Sequence, residues 1–381
     1  MKHFFKTQKI WIIIFSVISI ATLLSLVIKT KYEVTTPACL TDVNEFIYFS
    51  ESEQIETKPN ISTVSVYSFP RTSLFNYVIG RLNPFAEMTK NKDIYNTDDD
   101  YITAQGNLHK DISYDNAIIA GYKLANSLGT NTECQVNYNF NGYVITTILK
   151  SCKSDLKIND RLIEINGIKL DNENTPARVI HELSLEGVKE FKAKDQFFDK
   201  IYGLQTKTIA MLYDEEGRFG FACEAYYQVS STKCPKLDPK SRSNIDSLGP
   251  SGGLMQALLV YEQITGCQLT KGLKIAGTGT IDIAGNAGLI GGIKQKIYIA
   301  NACKVDIFFV PIDMSLEYDG NDETDPYSNW KEAQEAEKLL KKLGHTKMEI
   351  VPVENLQDVI EHLEGLQWLF LLLYPLLLLL K

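Results

Sequence analysis

From Ile10 to Ile28 the chain carries no charged residue, and this stretch leaves itself one way to fold. A single segment surrounded by hydrocarbon must satisfy its backbone polar groups internally, which means a helix. At about 1.5 Å per residue that helix rises roughly 28 Å, close to the ~30 Å of a bilayer core. Lys2, Lys6 and Lys9 precede it. A basic flank there favours a cytoplasmic N-terminus, with the body of the protein outside the cell membrane. The apolar run exceeds the core of a secretory signal and no small-x-small site follows, so residues 1–29 read as an uncleaved anchor. A second apolar run, Leu366 to Leu380, is interrupted by Gln367 and Pro375 within a tail of residues 365–381. It is short for a crossing, and reads as a second anchor or as half of a re-entrant hairpin. A lipid membrane is therefore an expected partner, with one pass or two.

The rest of the 381 residues suits two or three small globular domains. Net charge is −8 and no basic tract or aromatic-interleaved patch is present, so nucleic acid is not an expected partner. The seven cysteines form no C-x-x-C pair and no His/Cys cluster, so neither a metal nor another cofactor is expected. Cys223 and Cys234 are near enough in sequence to pair, though spacing does not establish it. No G-x-x-x-x-G-K-[ST] motif occurs, so no ATPase is expected, and His181-Glu182 lacks the second histidine of a zinc peptidase.

In residues 30–127, Ile61 to Phe69 alternates as a strand and stops at Pro70. Leu74 to Leu82 reads as a short helix or as an interfacial segment close to the membrane. Asn91 to Tyr101, with Asp98-Asp99-Asp100, reads as a solvated loop without EF-hand spacing. Ile112 to Leu128 has a helical apolar face. Further on, Gly142 to Ile148 is a buried-strand pattern, and Leu156 to Gly167 is a turn, a strand and an Asn-Gly turn.

Chemistry concentrates between Leu248 and Ala302. Ser251 follows Gly249-Pro250 and precedes Gly252-Gly253, after which Leu254, Leu258, Tyr261 and Ile264 keep helical spacing. Free amides at a helix start can hold the oxyanion that a serine nucleophile generates. The alternative role is an N-cap. Gly291-Gly292 opens another helix, with Ile293, Ile297 and Ala300 as its apolar face. Lys294, beside that face, is the expected base if burial lowers its pKa, at a cost of roughly 3–5 kcal/mol. Lys296 is expected to be a solvated surface lysine. Gly249 to Gly253 also fits G-x-S-x-G, with Asp306 or Asp313 and His345 or His362 as later partners. That elbow needs a buried strand before the serine, and Asn244 to Leu248 is not one. Strands at Asp306–Val310 and Met348–Val353, and helices at Trp330–Leu343 and Leu356–Leu363, complete a mixed pattern.

Three motifs in order, Gly249 to Leu254, Ala276 to Ile281 and Gly291 to Lys296, resemble the Lon-type (S16) serine peptidase domain. The separation of Ser251 and Lys294 is also similar to that family. The resemblance implies a Ser–Lys dyad of Ser251 and Lys294, with Thr278 orienting the lysine and Gly249, Pro250 and Gly252 supporting the serine. Lon-type ATP-dependent proteins carry an acidic residue where this chain has Leu248, and the membrane-anchored relatives with a PDZ domain look closer. The stretch around Gly142 to Gly167 resembles a PDZ domain, which implies strand addition of a peptide along Gly142, Tyr143, Val144 and Ile145, with Pro176 to Leu185 as groove helix. Val188 to Gln205 looks like an insertion in it.

The expected architecture is α+β: the anchor, an extracytoplasmic segment over 30–127, a PDZ-like β-rich module over 128–213, and a Lon-type α/β proteolytic domain over 214–364. The expected activity is ATP-independent endopeptidase cleavage of extended peptides or unfolded protein outside the membrane. A homo-oligomer is what the Lon resemblance implies. The rival class is a catalytically silent PDZ scaffold that binds peptide C-termini.

Overall fold

The computed structural model describes residues 2–49, 60–90, 98–129, 134–199, 201–233, 248–312, 329–344 and 347–366. The apolar tail beyond Leu366, Cys234, Asp313 and His345 lie outside the described residues. Among the described residues no two cysteines are joined by a disulfide.

The chain begins with helix α1 (Lys2–Val27), whose stretch Lys9–Val27 is long and apolar enough to cross a bilayer and contains no buried residue. Strands β1 (Tyr32–Asp42) and β2 (Ile61–Phe69), helix α2 (Leu74–Leu82), strand β3 (Glu87–Lys90) and helix α3 (Asp99–Ser127) follow. Next come β4 (Gln135–Ile148), β5 (Arg161–Ile165), β6 (Ile168–Lys169), α4 (Pro176–Leu185), β7 (Phe191–Asp199), β8 (Gly203–Met211) and β9 (Phe221–Lys233). The C-terminal part runs α5 (Gly253–Thr265), β10 (Ile275–Gly277), β11 (Thr280–Ile281), β12 (Ala287–Gly288), α6 (Ile293–Ala302), β13 (Ile307–Pro311), α7 (Asn329–Lys342) and β14 (Glu349–Val353). A last helix, α8, starts at Leu356.

One six-stranded sheet has the order β14-β13-β10-β2-β1-β3. Its β14, β13, β10 and β2 are parallel neighbours, whereas β1 pairs antiparallel with β2 and β3. Side chains alternate along its strands, so each strand feeds two cores. Ile61, Ile275, Ile307 and Phe309 pack with residues of α3, α5 and α8 on one face. Val64, Ala276, Phe308 and Val310 pack with Ile293, Ile297, Ala333, Ala336 and Leu340 of α6 and α7 on the other. Each large side chain so buried contributes about 1.5–3 kcal/mol against exposure. Both faces being covered explains the unbroken apolar run of Ile307 to Val310, which reads as buried whichever way it points.

Helix α3 starts earlier than the apolar periodicity indicates. The Asp98 carboxylate accepts a hydrogen bond from the Asp100 amide, and Asp99 and Asp100 stand in the first turn, where the helix dipole favours negative charge. The acidic stretch is thus a helix start from Asp98 onward, and not a loop reaching Tyr101. Helices α3 and α5 approach closely at Gly121: a Cβ there would lie 2.6 Å from Val260 Cγ1.

The second sheet, β8-β7-β5-β4-β9 with β6 on β5, is antiparallel and has its own core of Ile145, Leu162, Ile165, Phe191 and Val179. Sheet membership cuts across the expected boundaries. β1 to β3 belong to the same sheet as β10, β13 and β14, so the segment 30–127 is not separate from the C-terminal unit. β9 belongs to the second sheet, which therefore extends to Lys233 and is inserted between α3 and α5. Long-range parallel pairing of β2 with β10 leaves no local sequence signal, which is why periodicity does not reveal it.

Candidate functional site

The loop that carries Ser251 is fastened on three sides. Gly249, at φ +93°, takes a backbone form that glycine adopts without strain, and its amide donates to Gly106 O at 3.0 Å. Pro250 O accepts from the Ser113 hydroxyl of α3 at 2.8 Å and from the Gly253 amide at 3.2 Å. Ser251 O accepts from the Gly279 amide at 2.9 Å and from the Thr278 hydroxyl at 3.0 Å. The N-cap of α5 is Gly252, so Ser251 stands one residue ahead of the cap and does not fill that role. The amide of Leu254 is taken by Gly279 O, 3.2 Å away, which leaves the amides of Ser251 and Gly252 nearest in sequence to the hydroxyl. A side chain at Gly252 would meet Thr63 Oγ1 and Gln256 Nε2, each 3.3 Å from the new Cβ.

Thr278, at the end of β10, is fully buried. Its hydroxyl donates to Ser251 O and accepts from Lys296 Nζ at 2.9 Å. Lys296 is 2% exposed, and burial pushes its pKa down to about 7. A neutral amine is thus accessible near physiological pH, which is what a general base requires.

Lys294 does not fill that position. Burial lowers its pKa, but the hydrogen bond and charge of Glu335, 2.6 Å away, outweigh this and hold it above the ordinary lysine value. It stands on the outer side of α6 as a charged ion-pair partner. Helical geometry separates the two: at about 100° per residue, position 296 lies roughly 40° beyond the Ala300 edge of the apolar stripe and position 294 roughly 60° beyond the opposite Ile297 edge, so the two amines leave α6 on different sides. Distance from that stripe, Ile293, Ile297 and Ala300, separates the two lysines by only about 20°, and it is the packing of the folded chain that buries Lys296. The expectation of a solvated Lys296 is overturned on the same ground.

One hollow reaches the serine and another runs past its neighbour Pro250. A small one of about 20 Å³ is lined by Ser251, Thr41, Thr63, Ser65, Lys110 and Gln256, among others. Thr63 Oγ1 and Gln256 Oε1 are buried there and have no hydrogen-bond partner among the described residues. A larger cleft of about 670 Å³ runs past Pro250 and Ser113, walled by His109 and Asn116 of α3, Glu224 of β9, the β11–β12 hairpin and Glu354–Asn355. His109 Nδ1 is 3.4 Å from Glu224 Oε1, so the second sheet supplies part of the wall. Thr63, Gln256 and Glu224 carry no motif, and only the fold brings the first two beside Ser251 and the third to the cleft past Pro250.

The expected peptide-adding strand is closed. Tyr143 pairs with Leu162 on one side and Ala225 on the other, Val144 with Arg161 and Glu224, and Ile145 is bonded to Asp160 and paired with Cys223. Gly142, at φ +87°, precedes this doubly paired stretch. Strand addition needs a free edge, and this stretch of β4 lies between β5 and β9. The G-x-S-x-G alternative also fails locally: residues 248–250 are not strand, and His362 packs edge-on against Phe309.

No protein-family model matches the chain. Over 111 residues, 29% of this chain, it is 31% identical to a Lon protease of the Aster yellows witches'-broom phytoplasma (strain AYWB). The chain spans only 11% of that relative's length, so the likeness is to one part of a Lon protease, and it points to a peptidase.

Proposed function

We propose that the chain is a membrane-anchored serine endopeptidase in which Ser251 is the nucleophile and Lys296 the general base. The observation that carries this reading is the buried Lys296 amine bonded to Thr278, whose hydroxyl also holds the Ser251 carbonyl. Neutral Lys296 takes the Ser251 proton as Oγ attacks the scissile carbonyl, and the protonated amine then gives it to the leaving nitrogen. The acyl-enzyme is released by water, activated by the same amine. The amides of Ser251 and Gly252 stabilise the oxyanion. The cleft beside Pro250 accepts an extended substrate segment, and cleavage proceeds without ATP. The anchor holds the catalytic unit on the outer side of the membrane, and the unit works as a homo-oligomer. The scaffold alternative loses its main support, because the Tyr143–Ile145 stretch of β4 is bonded on both edges.

The test is cleavage of an unfolded protein by the purified chain and its variants. Ser251→Ala and Lys296→Met are expected to lose activity, the latter by roughly 10²–10⁴-fold. Lys294→Ala is expected to retain it. A Lys296→Met protein as active as the parent would exclude this base.

A further inference from the structure

Helix α2 meets two different surroundings. Its inner side packs on the first sheet: Gly80 is buried, with Val34 Cγ1 3.3 Å from where a Cβ would stand, and the Tyr77 ring lies 4.9 Å from that of Tyr32. Its outer side carries Phe75, Val78, Ile79 and Leu82 at i, i+3, i+4 and i+7, all exposed, with Leu82 at 75%. An apolar stripe of this kind marks an interaction surface.

The neighbouring chain indicates what covers it. The Leu74 amide donates to Ile28 O at 2.8 Å, and the Thr30 amide and hydroxyl both donate to Thr72 O, at 2.8 and 3.0 Å. Lys29 and Ser73 form a β-bridge. The start of α2 is thereby fixed at the level where α1 ends, and the exposed apolar surface of Leu26, Val27 and Ile28 is continuous with this junction. With Lys9–Val27 across a hydrocarbon core of ~30 Å, that level is the headgroup boundary. Charge agrees. Helix α2 holds no acidic residue, and Lys29, Lys31, Arg71 and Arg81 are exposed at or near the junction.

We propose that α2 is an interfacial helix lying in the lipid headgroup boundary, its Phe75, Val78, Ile79 and Leu82 side chains in the acyl region and the basic residues among anionic headgroups. This rests on the reading of α1 as a membrane anchor. β1 starts at Tyr32, directly after the junction, so the sheet that carries Thr278 is seated on the bilayer by two contacts instead of hanging from one. A peptidase so seated takes substrate segments that run close to the membrane surface.

The experiment places a photoreactive residue at Phe75, Ile79 or Leu82 of the full chain, in vesicles of phosphatidylcholine and phosphatidylglycerol. Controls carry it at Val17 in α1, at Tyr77 on the inner side of α2, and at Leu185, exposed on α4. Lipid adducts at 17, 75, 79 and 82, lost at 77 and 185, are the expected pattern. Lipid adducts at 17 with none at the three α2 positions, whether these give protein adducts, a cross-linked second copy or quenching by water, overturn the interfacial helix and leave the anchor standing. Absence of lipid adducts at 17 overturns both.

Discussion

Folding strips Lys296 of water and gives it the Thr278 hydroxyl 2.9 Å away. Its pKa falls from the ordinary lysine value to about 7, so between about 7 and 10.5 the unfolded chain holds a proton that the folded chain lacks. Stability therefore rises with pH through that window, and below it the buried charge is a standing cost. Two consequences can be measured. The pH dependence of kcat/KM should climb through about 7 and level off above it, as the neutral amine becomes the dominant form. Lys296→Met, which keeps the volume, should unfold at higher denaturant concentration than the parent at pH 7 while losing activity. Thr278→Val should cost about 1–3 kcal/mol of stability by removing the hydroxyl partner of two buried groups, and a pH–rate limb displaced from the parent's would show its hold on the amine. The serine loop is legible in the sequence because Gly-Pro-Ser-Gly-Gly is local chemistry. The lysine is not legible from proximity to Gly291-Gly292 alone, since two lysines two positions apart share that neighbourhood and differ only in which side of α6 they occupy.

At the scale of elements, α3 and α5 are the pair on which the serine loop rests. Gly121 lets them touch, and a Gly121→Ala side chain would overlap Val260, with an expected loss of about 1–3 kcal/mol in chemical denaturation. Near the C-terminal end of α5, Glu262 is 1% exposed, and burial lifts its carboxyl to about 7 although the Leu269 amide donates to it at 2.7 Å. The folded state thus holds its proton between about 4.5 and 7, and stability falls as pH rises through that range. Glu262→Gln should flatten this fall: near parent stability at pH 5 and higher stability at pH 8, read by thermal unfolding. The helices and the strands Ile61 to Phe69 and Ile307 to Val310 are visible as periodicity. Which strands become neighbours is not, because Tyr143 to Ile145 reads as a buried strand whether its second edge meets β9 or a peptide.

Across the whole molecule, the first sheet draws on both ends of the described chain, with β2 beside β10. A fragment of residues 248–366 contains Ser251, Thr278 and Lys296 yet lacks β2 and α3, and it should fail to fold, as judged by circular dichroism and size exclusion. Residues 134–233 carry a closed set of antiparallel pairings and a core of their own, and should fold alone. A monomeric, cooperatively unfolding 248–366 fragment would contradict this division. The same topology sets a timetable for synthesis. Once β1 and β2 leave the ribosome, the inserted sheet can close at once from consecutive chain, whereas the open edge of β2 must wait for Ile275 to be made. During that interval the nascent chain exposes an unpaired strand edge, a template for wrong pairing with neighbouring chains. Slowed translation after the inserted sheet should therefore raise aggregation, and a chaperone that covers extended edges should relieve it.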